Sequence, residues 1–251
     1  MDISIPTSPT ILIDLMKTGS VVIVFAYLIS RAKFFTRLLD KNFNNRSRAL
    51  TILFFGALSV YGTYGGINLS TGEIAHIRHL GPAGAIANIR DLGPAIAGLV
   101  GGPIIGLGAG LIGGIHRYSV GGFLAAPCAL ATILAGLIGG LIYSLRKGDF
   151  PRIWQVMLLA LAMELMHIGL ALAIAKPLDD VLAVVKAVTV PMVAANVTGA
   201  GIFAFIIRNE INERRTSTER EKYRSELERK RFELEMARSI QQTLLPESTP
   251  R

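Results

Sequence analysis

The 251 residues are 51% hydrophobic, with 26 Lys and Arg against 18 Asp and Glu, a formal net charge of +8 and one cysteine. A single cysteine excludes an intramolecular disulfide and a cysteine-based metal cluster. The basic excess would suit nucleic acid or anionic lipid, but its clusters at 31–48, at 146–152 and after Arg208 all flank apolar runs, which reads as inner-leaflet anchoring.

Six apolar runs lie near 9–30, 49–69, 93–113, 121–145, 153–175 and 181–207. Stretches such as "SVVIVFAYLIS" and "VMLLALAMELMHIGLALAIA" lack the polar face that a soluble helix keeps, and nearly uncharged runs of about 18 residues or more are membrane spans. The expected fold is therefore all-α, a polytopic membrane helix bundle. The N-terminal "MDISIPTSPT" has neither a basic region nor a cleavage pattern, so the first run is expected to stay as an anchor. Asp14 and Lys17 within it are spaced to pair locally.

The first loop carries Arg31, Lys33, Arg37, Lys41, Arg46 and Arg48 against Asp40. The positive-inside rule puts this loop in the cytoplasm and the N-terminus outside, and puts "RKGDFPR" and the tail from Arg208 inside. Six crossings from an outside start would end outside. About five crossings satisfy every assignment if 93–113, interrupted by Pro94 and Pro103 and rich in glycine, is a broken or re-entrant segment that makes no net crossing. Just before it, Glu73, His76 and His79 form a weak metal-ligand pattern, and no metal is assigned to it.

Gly98, Gly102, Gly106, Gly110 and Gly114 recur every fourth residue, and Cys128, Thr132, Gly136 and Gly140 repeat that spacing. Such rows let helices approach closely. An arginine closes the glycine-rich segment at each end, Arg90 and Arg117. A guanidinium in a membrane interior cannot lose its proton, so it snorkels, pairs with an acid, or awaits an anion. Asp91 follows Arg90, but adjacent helical residues point different ways; Arg117 has no acid nearby in sequence. His116 and Tyr118 flank Arg117 and offer further hydrogen bonds. Glu164 and His167 share a helical face, suited to an interhelical hydrogen bond or to proton coupling. Pro191 and Asn196 in the last run suggest a kink with a polar neighbour. No nucleophile–base pair, phosphate loop or kinase signature occurs, and no cofactor is expected.

The tail, from "RNEINERRTSTEREKYRSELERK" onward, is rich in helix formers with opposite charges three or four apart. One heptad frame places Leu227 and Leu234 at a, and Tyr223, Ala237 and Leu244 at d, with Arg220, Lys230 and Gln241 interrupting it. This is an imperfect coiled coil suited to a tethered homodimer, and Pro246 ends it.

At "AIANIRDLGP", "GGPIIGLGAGLIGGIHRYSVGGF" and "PCALATILAGLIGGL" the chain resembles the membrane sensor region of LytS-type bacterial receptors, over residues of about 10 to 207. The resemblance implies five membrane spans, a histidine kinase or another output domain, control of cell-wall metabolism, and sensing of small carboxylates such as pyruvate. It implies that Arg90 and Arg117 form the anion-binding pair with Cys128 nearby. Some relatives carry a hydroxyl residue three positions after that cysteine, where this chain has Ala131; Thr132 is the available substitute. A second resemblance, at "ELEMARSIQQTLLP", is to the linker entering the serine/threonine phosphatase domain of bacterial stress-response and sporulation regulators, with the metal-binding aspartates of such a domain not reached.

The expectation is a plasma-membrane sensor with a transmembrane sensor domain over 1–207 and a cytoplasmic signalling helix over 208–251 without an output domain. Asn88, Arg90, His116, Arg117, Tyr118, Cys128 and Thr132 are the ligand-binding candidates. A transporter or substrate-capture subunit for the same anion is the rival reading, since transporters also set broken helices beside midplane charges.

Overall fold

The computed structural model describes residues 8–39, 44–68 and 85–244. The Glu73, His76 and His79 pattern, the end of the tail at Pro246 and the first seven residues lie outside the described residues. The elements in chain order are α1 (Ser8–Ser30), α2 (Lys33–Leu39), α3 (Asn45–Tyr64), β1 (Ile67–Asn68), β2 (Ile86–Ala87), α4 (Leu92–Gly101), α5 (Pro103–Val120), α6 (Ala125–Leu145), α7 (Ile153–Ile174) and α8 (Leu178–Leu244). Among the described residues the fold is helical apart from one antiparallel pair, in which β1 and β2 match Ile67 with Ala87 and Asn68 with Ile86. Two compact units result, residues 1–208 and 209–251.

Among the described residues, α6, α7 and the apolar part of α8 are long and apolar enough to cross a membrane, and α4 is a shorter apolar helix. α7 shows how the sequence pattern is used. Its buried residues are Val156, Met163, Glu164, His167 and Ala171, one stripe at helical spacing, while Trp154, Leu158 and Leu165 face outward. The outward face differs from that of a soluble helix: it is apolar, while the polar Glu164 and His167 are turned inward among Val156, Met163 and Ala171.

The glycine-rich segment is broken, and the break is at one place. Pro94 lies in the first turn of α4, where a missing N–H costs nothing, so it does not interrupt the segment. Gly102 does: its φ of 86° ends α4, its N–H closes on the Gly98 carbonyl at 2.8 Å, and Pro103 opens α5. α5 then runs on to Val120, so Arg117 sits in the last turn of a helix, although it lies between the apolar runs 93–113 and 121–145.

The glycine rows meet as the spacing implied, although the break divides the first row between two helices. α6 packs against both α4 and α5. A Cβ on Gly106 would strike the Gly136 carbonyl, and one on Gly136 would strike the Gly106 carbonyl. Gly140 lies against the backbone of Pro103 in the same manner. Backbone-to-backbone contact at this range is open only to glycine. Asp14 and Lys17 do pair, Nζ to Oδ1 at 2.8 Å.

The packing gives a contrast that mutation can test. Gly106→Ala must push α5 off α6 and is expected to lower stability by about 1–3 kcal/mol, as overpacking does. Gly169→Ala, on α7 with nothing within 4 Å of the added methyl, is expected to leave the detergent-solubilised unfolding temperature unchanged or slightly raised. Thermal unfolding of both variants checks this.

A buried two-arginine site joined to a Cys–His–Asp chain

The loop between β2 and α4 shapes the first arginine. Asn88 folds back on its own backbone, donating from Nδ2 to the Ile86 carbonyl at 3.3 Å and accepting from the Arg90 N–H at 3.2 Å. Gly62 of α3 lies against the Arg90 Cα, where a Cβ would come within 2.8 Å. Asn196 on α8 donates to the Asn88 carbonyl at 3.4 Å. Asn88 therefore positions the loop through both ends of its side chain.

Arg90 is completely buried. Its Nε donates to Thr132 Oγ1 at 2.9 Å and lies 3.5 Å from Asp91 Oδ1. The expectation that Asp91 points away from Arg90 is corrected here: Arg90 precedes α4 and Asp91 stands at its N-cap position, so helical geometry does not separate them. Thr132 Oγ1 is in turn 2.5 Å from Asp91 Oδ1 and 2.9 Å from the Cys128 carbonyl. Thr132 thus supplies a hydroxyl to the arginine that Ala131 lacks.

Arg117 is also completely buried. Its Nη1 donates to the Gly121 carbonyl at 2.6 Å, and the side chain lies beside Cys128. Both arginines act electrostatically on the half-buried His116 ring, which also meets the Tyr64 ring at a tilt of 57°, with centroids 4.9 Å apart. Tyr118, the residue after Arg117, is 64% exposed, so it faces away from the cluster. Rotation by one helical residue explains its departure from the candidate group.

The orphan groups define the chemistry. Arg90 Nη1 and Nη2, Arg117 Nε and Nη2, and His116 Nδ1 are buried with no hydrogen-bond partner. A guanidinium presents five N–H donors and no acceptor, and an uncompensated buried charge costs several kcal/mol. Two such forks close together match a carboxylate or phosphate, which binds them bidentately.

A second chain of groups, which the sequence reading did not assemble, runs behind the arginines. His167 Nδ1 is 3.1 Å from Asp91 Oδ2, and His167 Nε2 is 3.1 Å from Cys128 Sγ. Glu164 is buried beside them, and one ligand atom each from Asp91, Glu164 and His167 falls within a 4.8 Å group. Arg90 stands against Asp91 as a permanent positive charge, and His167 Nε2 already engages Cys128 while its Nδ1 lies against Asp91 at ion-pair distance without a directed hydrogen bond, so this trio is poorly disposed to a cation. The Glu-x-x-His spacing signalled the α7 half of the cluster. Its partners, Asp91 and Cys128, lie on other helices and left no local signal.

The hydroxyl of Thr132 carries a testable load. Thr132→Val deprives both Arg90 Nε and Asp91 of their shared partner and is expected to cost about 1–3 kcal/mol, the penalty of stranding buried polar groups. Thr132→Ser is expected to keep most of the stability, and thermal unfolding separates the two.

The family described as 5TMR of 5TMR-LYT matches residues 32–210. The sensor protein LytS of Bacillus subtilis is 31% identical over 203 residues, 79% of this chain and 34% of its own length. The sensor histidine kinase BtsS of Escherichia coli is 30% identical over 198 residues, 77% of this chain and 33% of its own length. The chain thus spans about a third of the length of the curated relatives it matches. No solved structure matches it. The chain belongs to the 5TMR-LYT family, as a multi-pass membrane sensor region of the kind found in LytS and BtsS.

Proposed function

We propose that this sensor region is a receptor for a small anion, a carboxylate such as pyruvate, which bridges Arg90 and Arg117. The observation that carries the reading is the set of unpartnered nitrogens on two completely buried guanidiniums. A carboxylate supplies the missing acceptors and compensates the excess positive charge at once. Cys128 and Thr132 line the same cluster, and Asn88 holds the loop that carries Arg90.

Binding favours one packing of the glycine-lined helices α4, α5 and α6 over another; such a switch needs different affinities for the two states. Two polar contacts offer the route outward: Asn196 of α8 to the Asn88 carbonyl, and His167 of α7 to Asp91. α8 then carries the change from the membrane into the cytoplasm, with the N-terminus outside and about five crossings. The output is a kinase, in keeping with the name of the BtsS relative, or a phosphatase, in keeping with "ELEMARSIQQTLLP"; cell-wall regulation is the biological setting that the LytS resemblance suggests. Tyr223, Leu227 and Leu234 are at least 61% exposed in the single chain and stand at heptad positions, which supports a homodimer through this helix.

A transporter for the same anion is the second reading, and it is favoured by the broken glycine-rich segment, which follows Arg90 and carries Arg117 in its last turn. Accumulation of labelled pyruvate in vesicles separates the two, since a receptor accumulates none.

Calorimetric titration of the detergent-solubilised protein with pyruvate tests the arginine site. Saturable binding is expected, weakened by at least about tenfold in Arg90→Ala and in Arg117→Ala, since hydrogen bonds to charged groups contribute about 1.5–3 kcal/mol. Tyr118→Ala is expected to bind like the unaltered protein. Equal binding by all variants would remove the arginine pocket. For the dimer, Leu227→Cys is expected to cross-link severalfold faster than Arg229→Cys, which leaves the heptad seam; equal rates would leave the helix solitary.

A further inference from the structure

The Cys128–His167–Asp91 chain is not needed to bind an anion. Two guanidiniums suffice for that, yet the fold places a thiol, an imidazole and a carboxylate in succession, with 3.1 Å at each junction, a hydrogen-bond contact at the sulfur and an ion-pair contact at the carboxylate. The residues come from three places, α6, α7 and the N-cap of α4, so no local sequence preference accounts for the alignment. It has the form of an activated nucleophile: a thiol within reach of a base that a third group orients.

Cys128 lies in the opening turns of α6 and beside Arg117, the two surroundings in which cysteines become reactive. The unpartnered guanidinium nitrogens are an independent sign that a ligand arrives next to it. A cleft lined by Cys128, Glu164, His167, Val184, Thr189 and Met192 reaches the thiol from the α7–α8 side.

We propose that Cys128, activated by His167 and Asp91, captures the bound anion covalently and reversibly through a carbonyl carbon adjacent to its carboxylate, so that the site selects 2-oxo acids over carboxylates without a carbonyl. The inference rests on the anion-receptor reading above and adds a chemical step to it. His167 Nε2 takes the thiol proton as the sulfur attacks. A C–S bond forms, the C=O π bond breaks, and the proton passes from His167 to the oxygen that results. The product is a hemithioketal with no leaving group and no change of oxidation state, so the step runs backward as readily and the receptor resets. Asp91 is a positioning residue here: it fixes the imidazole with Nε2 toward sulfur and stabilises the imidazolium.

The experiment uses the full chain in detergent with two probes of similar size, [2-¹³C]pyruvate and propionate. Bound pyruvate is expected to show its C2 resonance moved from the carbonyl to the tetrahedral range, and the moved resonance is expected to vanish in Cys128→Ser. A thermal unfolding temperature of Cys128→Ser close to that of the unaltered protein shows that the variant is folded. Alkylation of Cys128 by chloroacetate, a small anionic electrophile, reads the activation directly. His167→Gln is expected to slow it about a hundredfold, the scale of a lost general base, and to displace its pH profile. A C2 resonance that stays in the carbonyl range while pyruvate binds, or alkylation unchanged in His167→Gln, overturns covalent capture and leaves the receptor reading standing. Failure of both acids to bind the unaltered protein overturns the receptor reading, and this inference with it.

Discussion

Holding a guanidinium inside a helix bundle is the constraint around which the rest of this molecule is arranged. Arg90 cannot shed its charge and has no exposed surface, so the fold must surround it with acceptors. Asp91 and Thr132 supply two of them, and Asn88 and Gly62 let the backbone bring the arginine to that point. Thr132 sits on α6, and α4, which follows the arginine, approaches α6 backbone to backbone where Gly98 meets Gly136 and Gly140 and where Gly139 meets Ala95. The glycines and the arginines are therefore one design. Close packing delivers the groups that make a buried charge tolerable, and the guanidinium nitrogens that remain unmet are the basis of the anion-receptor proposal.

The same arrangement ties the site to the helices that leave it. Asp91 is shared between Arg90, Thr132 and His167, so a change in the charge around Arg90 is felt on α6 and α7 through a single carboxylate. Asn196 brings α8 to the loop that carries Arg90. Coupling of this kind requires no long pathway of side chains. It requires only that two packings of adjacent helices differ in how well they satisfy the same few polar groups.

Much of this was legible in the sequence because membrane helices leave strong local signals. The long apolar runs, the four-residue glycine period and the two arginines at its ends are all readable without coordinates, and the helices and the glycine contacts follow them closely. The exact break was less clear, since Pro94 and Pro103 look alike in sequence, and only position within the helix decides that Gly102 and Pro103 break the chain while Pro94 does not. Asp91 was misjudged by applying helical geometry one residue before the helix begins. The Cys128–His167–Asp91 chain was invisible because its members are separated by 37 or more positions and meet only through packing, a relation that periodicity does not encode.

The account stands or falls on whether Arg90 and Arg117 share one anion. An experimental structure of the protein in a lipid nanodisc with saturating pyruvate tests this most directly. The account predicts density for a single small carboxylate touching both guanidiniums, with Arg90 Nη1 and Nη2 no longer unpartnered. Arginines that instead pair with Glu164 or reach lipid headgroups, with nothing bound between them, would contradict it.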